Sequence, residues 1–157
     1  MLRLTRFSDY AVRVLLYLGA RTERLCSIGE IAKAYDISEN HLMKVVSNLA
    51  ADGYVESVRG RNGGIRLGRP ATEINIGKLI RYTEGEIDLA GCFECKLRGV
   101  CRLPGPLDLA LDAFFFVLER YTLADVIGEH GGVQILERLS LPSRVIDKIS
   151  SRALTED

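Results

Sequence analysis

Two short helical patterns and a glycine-rich hairpin, run together between Ser27 and Leu67, constrain this chain more than any other stretch. In Ser27-Ile28-Gly29-Glu30 a serine stands three residues before a glutamate. At that spacing the two side chains satisfy free N–H groups at a helix start. Ile28, Ile31 and Ala32 then repeat inward, and Tyr35-Asp36-Ile37 breaks the run. Ser38 is placed to cap a second helix reaching Asn48 or Ala51, with Leu42, Val45, Val46 and Leu49 on one face. Gly53 supplies the left-handed residue that ends it. Tyr54-Val55-Glu56-Ser57-Val58 alternates as a strand does, and Ile65-Arg66-Leu67 reads as its partner across Arg59-Gly60-Arg61-Asn62-Gly63-Gly64. Two helices around a tight turn, followed by a basic hairpin, predict a winged helix-turn-helix.

The rest of the chain builds around that unit. Phe7, Ala11, Val14, Leu15 and Leu18 recur at helical spacing, which predicts a helix over 7–20 with Ser8 as its cap. Pro70 marks a boundary, so residues 1–70 form the expected DNA-binding domain. Asn75 can cap a helix from Ile76 to about Glu84. Residues 85–102 form a loop rich in cysteine. Pro104 suits the first turn of a helix over 104–120, whose apolar residues cover most of its circumference. A helix of that kind is buried on several sides, and in so small a chain a second subunit is the simplest cover. Thr122 caps a short helix to Glu129, which completes a second unit over 71–130. Residues 131–157 form a tail with weak helical patterns at Val133–Leu139 and Ser143–Leu154. The expected fold is mainly α with one small β-hairpin: a winged helix-turn-helix domain, a cysteine-bearing loop and a long dimerisation helix.

Composition sets limits on function. The 157 residues carry 21 Lys/Arg and 21 Asp/Glu, but unevenly. Residues 1–69 hold 11 basic against 7 acidic side chains, and residues 70–157 hold 10 against 14. A basic first half suits a phosphate-facing surface. No apolar run approaches the roughly 18–20 residues of a membrane span, and the N-terminus lacks a signal-peptide pattern. A cytoplasmic location is expected, where thiols stay reduced, so the four cysteines read as ligands or core residues rather than disulfides. No Ser/His/Asp set, paired-carboxylate motif or phosphate-cradling glycine loop points to an enzyme.

Polar residues at the start of a recognition helix reach base edges. Here these are Ser38, Glu39, Asn40, His41 and Lys44. Asparagine pairs with adenine, and lysine with guanine or phosphate. Arg59, Arg61 and Asn62 sit on the glycine-rich hairpin, whose tip suits a narrow minor groove. Double-stranded DNA is the expected partner.

Cys92, Cys95 and Cys101 fall within ten residues. A structural zinc site normally takes four Cys or His ligands in two knuckles, and this loop offers one pair and no nearby histidine. A disulfide leaves one thiol unpaired. Three thiolates suit an iron–sulfur cluster with one iron held by another group. Lys96, Arg98 and Arg102 flank the loop and are expected to lower its thiol pKa values. A repressor that senses redox state through bare thiols is a further reading. Cys26, beside Leu25 and Ile28, reads as a small core residue.

These stretches together resemble the NsrR/IscR/RirA-like family of iron–sulfur winged-helix repressors. The similarity runs from Leu2 to about Glu129. It is carried by Leu4-Thr-Arg-Phe-Ser-Asp-Tyr-Ala-Val-Arg13, Asn40-His-Leu-Met-Lys-Val-Val46, Val58-Arg-Gly-Arg-Asn-Gly-Gly64, the cysteine loop and Tyr121-Thr-Leu-Ala-Asp125. The resemblance implies a homodimeric repressor. Cys92, Cys95 and Cys101 would bind a 4Fe–4S cluster, with 2Fe–2S as the alternative. Within the family, the nitric-oxide-sensing branch has an aspartate near its N-terminus that ligates the cluster of the other subunit, and Asp9 occupies the matching position. The histidine used by another branch is missing, because none follows Cys101 before His130. The resemblance therefore implies nitric oxide as effector, with iron or cluster status as the alternative. Two features depart from the family pattern. The first two cysteines stand closer together, and the tail beyond Gly131 is longer.

Overall fold

The computed structural model describes residues 3–140. The chain runs through α1 (Arg6–Ala20), α2 (Ile28–Tyr35), α3 (Glu39–Ala51), β1 (Val55–Val58), β2 (Gly64–Leu67), α4 (Ile76–Glu84), α5 (Pro104–Leu118), α6 (Leu123–Ile127) and α7 (Gly131–Ser140). Short 3-10 turns lie at Ala71–Glu73 and Cys92–Glu94. The architecture is mainly helical with one antiparallel hairpin, as the sequence predicts. The helical pattern at Ser143–Leu154 lies outside the described residues.

Helix α1 is the spine. Its Ala11, Val14, Leu15 and Leu18 are fully buried, and α3, α4, α6, α7 and β2 all pack against it. The start of α1 corrects one expectation. Thr5, not Ser8, is the N-cap: its hydroxyl accepts the Ser8 backbone N–H. Ser8 is fully buried, and its own hydroxyl donates to Thr83 Oγ1 on α4 at 2.7 Å. Thr5 donates its backbone N–H and its hydroxyl to Glu84 Oε1, at 2.8 and 3.0 Å. The first turn of α1 is thus fastened to the last turn of α4, where the cysteine loop begins.

The hydrophobic core is continuous across Pro70. Ile74, Ile76, Leu79, Ile80, Phe115 and Leu123 join the α1–α3 residues in one buried cluster. Asn75 makes the joint. Its Oδ1 accepts from Lys78 N to cap α4, and its Nδ2 donates to Glu119 O at the end of α5. Backbone bonds from Ile76 N to Tyr121 O and from Leu123 N to Ile74 O complete it. Helices α4 and α5 therefore meet backbone to backbone at Gly77, where an added Cβ would lie 2.6 Å from Glu119 N.

Helix α5 leaves most of its apolar surface uncovered within one chain. Only Phe115 is buried, whereas Leu109 is 71% exposed and Phe116 68%. Helix α7, at the start of the tail, docks on α1 and α2. Among the described residues no helix is long and apolar enough to cross a membrane.

Gly77→Ala should destabilise the protein by about 1–3 kcal/mol, because the backbone at Glu119 must move aside. Urea unfolding of the variant beside the wild type measures this. An unchanged midpoint would show that the joint yields freely.

Candidate functional site

The reader is held from its N-terminal side by a charged cap. Ser27 accepts the Glu30 backbone N–H at 3.1 Å, and Glu30 Oε2 accepts the Ser27 N–H at 3.2 Å. Glu30 also takes Arg24 Nη2 at 2.7 Å and the Tyr17 hydroxyl at 3.1 Å. Burial pushes the Glu30 carboxyl upward, but the hydrogen bonds from Arg24, Ser27 and Tyr17 outweigh it and hold the group at about 2. Asp36 takes the left-handed conformation after α2, at φ 54°, and turns the chain into α3. Ser38 occupies the N-cap position of α3, although its side chain makes no capping bond.

Leu42, Val45, Val46 and Leu49 anchor α3 in the core. Ser38, Glu39, Asn40, His41 and Lys44 all lie exposed on its other side. The end of α3 is fixed by residues that follow the wing. Tyr82 on α4 donates its hydroxyl to Asn48 O at 3.3 Å. Arg69 donates to Gly53 O at 3.1 Å and lies 4.6 Å from the centre of the Tyr54 ring.

The wing is tied to the start of α2. Cys26 and Ile65 exchange two backbone hydrogen bonds, of 2.9 and 2.8 Å, along the outer edge of β2. The Cys26 side chain is buried, and burial pushes its thiol up to about 11, as befits a core residue. The hairpin pairs Val55 with Leu67 and Val58 with Gly64. Its turn needs glycine at 63, where a Cβ would lie 2.2 Å from Val58 O. Arg59, Arg61 and Asn62 are exposed at the tip. Helix α3 and the hairpin that carries the basic tip thus pack together.

The cysteine loop links α4 to α5. Cys92 is half-buried and begins a 3-10 turn, while Cys95 and Cys101 are exposed. Cys95 Sγ accepts the Leu97 backbone N–H at 3.5 Å, and Cys101 Sγ accepts that of Leu103 at 3.4 Å. A cleft of about 270 Å³ opens beside Cys92, walled by Asp88, Phe93, Arg98, Leu107 and Asp108 among others. The flanking cations do not lower the Cys92 thiol as expected. Its pKa is raised, first by desolvation and then by the negative charges of Asp88, Cys95, Cys101 and Asp108. Arg98 lines the same cleft and donates to Phe93 O at 3.2 Å. Among the described residues no three His, Cys, Asp or Glu side chains converge tightly enough to hold a metal ion.

Asp9 lies on the first turn of α1, away from its buried stripe. It accepts Arg13 Nε at 2.9 Å, and the same guanidinium lies 5.6 Å from the centre of the Tyr35 ring, at the end of α2. An acid four residues before an arginine is a legible helix pair, whereas the contact of Arg13 with Tyr35 depends on the fold. Asp88, which the sequence motifs do not single out, accepts three backbone N–H groups of the cysteine loop on its carboxylate. The visible signal there was an aspartate just ahead of Gly91 and Cys92, the pattern of a side chain folding a loop onto itself.

A winged helix-turn-helix joined to a cysteine loop and an apolar helix defines a DNA-binding transcriptional regulator. The chain belongs to the Rrf2 family, described as iron-dependent transcriptional regulator, whose profile matches residues 4–129. The HTH-type transcriptional regulator NsrR of Bacillus licheniformis is 47% identical over 132 residues, which cover 80% of this chain and 92% of that one. Among solved structures, CymR (YrzC), the global cysteine regulator of B. subtilis, superposes with a TM-score of 0.66 at 30% identity, covering 80% of this chain and 96% of that one. IscR of T. potens gives 0.65 at 27%, covering 80% and 86%. The function of this chain is transcriptional regulation of the NsrR type, not catalysis.

The Glu30 carboxyl yields a pH test. Its folded pKa lies below the ordinary value near 4.5, so its contribution is complete above that value and is lost as pH falls toward 2. The stability gap between wild type and Glu30→Gln, read from urea midpoints, should be full at neutral pH and should close on acidification across that window. A gap that is independent of pH would contradict the charged cap.

Proposed function

We propose that the chain is a homodimeric repressor whose affinity for operator DNA is set by an iron–sulfur cluster. Cys92, Cys95 and Cys101 of one subunit would hold that cluster, with Asp9 of the partner subunit as fourth ligand. The observation that carries the reading is the donor set itself. Three thiols share one loop, two of them exposed, and two accept backbone N–H bonds on sulfur. Such bonds stabilise the negative charge of a ligating thiolate and tune cluster potentials. The donors present fit a 4Fe–4S group, and a 2Fe–2S group is the alternative. When bound, the cluster supplies irons with which nitric oxide reacts.

The residues of this chain suggest how that chemistry reaches the operator. The Asp9 carboxylate already has a partner in Arg13, and Arg13 covers Tyr35 at the turn between the reader helices. An Asp9 engaged across the dimer leaves Arg13 to Tyr35 alone, and an Asp9 set free returns to Arg13. The ligand switch therefore acts directly on the end of α2. Ser38, Glu39, Asn40, His41 and Lys44 would meet the major groove, and Arg59, Arg61 and Asn62 the adjacent backbone or minor groove. The uncovered face of α5 supports a second subunit as its cover, because an apolar surface of this kind gains most by pairing with its own copy. A soluble regulator of this kind works in the cytoplasm beside its DNA.

A second reading, response to iron or cluster status, is favoured by the iron-dependent description of the family. One experiment decides between them. Anaerobically reconstituted protein bound to operator DNA is titrated with nitric oxide, an iron chelator and oxygen in parallel. Sensitivity to nitric oxide at a few equivalents per cluster is expected, and loss of binding only to chelator would establish the iron reading. Cys92→Ser, Cys95→Ser and Cys101→Ser should each give colourless protein, and a retained iron–sulfur absorption band would refute the ligand assignment.

A further inference from the structure

We infer that Asp88 is the positioning residue for the first cysteine of the loop: it holds the turn that places Cys92 and Cys95 on one side. The inference rests on reading the three cysteines as cluster ligands. Asp88 Oδ1 accepts the Cys92 N–H at 2.8 Å and the Ala90 N–H at 3.3 Å, and Oδ2 accepts the Phe93 N–H at 2.9 Å. Cys92 and Phe93 open the 3-10 turn Cys92–Glu94, so these N–H groups have no partner inside it. Gly91, at φ 66°, reverses the chain so that they face the carboxylate. Cys95 N then closes the turn onto Cys92 O at 3.4 Å.

The spacing explains why such a device is needed. In a 3-10 helix residues three apart lie one above the other. Cys92 and Cys95, with two residues between them, point the same way only while that turn is formed. The loop has no apolar stripe to form it, since all residues from 93 to 103 are exposed. Asp88 is itself exposed, and its described hydrogen bonds all go to this segment, so burial does not account for an acid here. Bonds from N–H groups to a charged carboxylate are among the stronger ones a short loop can use. They order the first two thiols before any metal arrives, and a preformed pair loses less freedom on binding.

The test uses full-length protein as wild type, Asp88→Asn, Asp88→Ala and the loop control Lys96→Ala. Amide hydrogen exchange on reduced, metal-free protein reads the turn without the cluster. Cys92 and Phe93 should be protected in wild type and in Lys96→Ala, and unprotected in Asp88→Ala. Anaerobic iron loss to a chelator, followed by cluster absorbance, reads the consequence. It should be roughly tenfold faster for Asp88→Ala, in line with the loss of other residues that orient metal ligands. Asp88→Asn, which keeps one acceptor oxygen, should fall between. Unchanged exchange in Asp88→Ala overturns the proposal, and so does lost protection with an unchanged rate of iron loss. Wild-type protein that takes up no iron and sulfide overturns the cluster reading itself and the positioning role with it, and that control alone tells the two failures apart.

Discussion

Burial of α1 on more than one side is the constraint on which the rest of the structure depends. Its residues Ala11, Val14, Leu15 and Leu18 admit no water, and both halves of the chain close over them. Helix α3 and strand β2 pack on it, and so do α4 and α6. A displacement of α1 therefore cannot stay local, because close-packed interiors pass strain on rather than absorb it. The hydrogen bonds of Thr5 and Ser8 to Glu84 and Thr83 add a polar clasp at the end of α1 nearest the cysteine loop.

That placement gives Asp9 its leverage. It sits one turn into the spine, paired with an arginine that also covers Tyr35. On the proposed reading, a ligand bond formed or broken at Asp9 would pull on the helix against which α3 packs. The cysteine loop would on that reading need no contact with DNA to influence it. On that reading Asp9 would exchange Arg13 for the partner subunit's site, and the exchange would be linked to DNA binding provided that the two states bind the operator differently.

The parts of this fold written in local signals were legible in the sequence. The Ser27–Glu30 capping box, the Gly53 helix end, the Asn75 and Thr122 caps and the hairpin strands all follow from neighbours a few residues apart. The first cap was misplaced because Thr5 and Ser8 are equally suited by type, and the choice fell to Thr83, 75 residues away, which draws the Ser8 hydroxyl inward. The rise in the Cys92 thiol pKa was hidden for a similar reason. It comes first from desolvation, which only the folded loop imposes, and then from Asp88, Cys95, Cys101 and Asp108, the last brought to the thiol's cleft from α5. The docking of α7 on α1 and α2 left no local trace either. Of the candidate site, the cysteines, the polar start of α3 and the basic tip could be read from the chain alone and Asp9 from the family resemblance, but the Asp88 bonds to the loop N–H groups and the Arg13 contact with Tyr35 required the fold.

The central claim is that sensor and reader are joined across subunits through Asp9. A mixed dimer of one Asp9→Ala chain and one Cys92→Ser chain tests this most directly, since each chain damages only one kind of ligand. If Asp9 serves its partner's cysteines, one site keeps all four native ligands while the other loses two. The account predicts one cluster per dimer with the stability and nitric-oxide response of wild type. A mixed dimer in which no cluster behaves as wild type would mean that Asp9 serves its own chain, and would contradict the account.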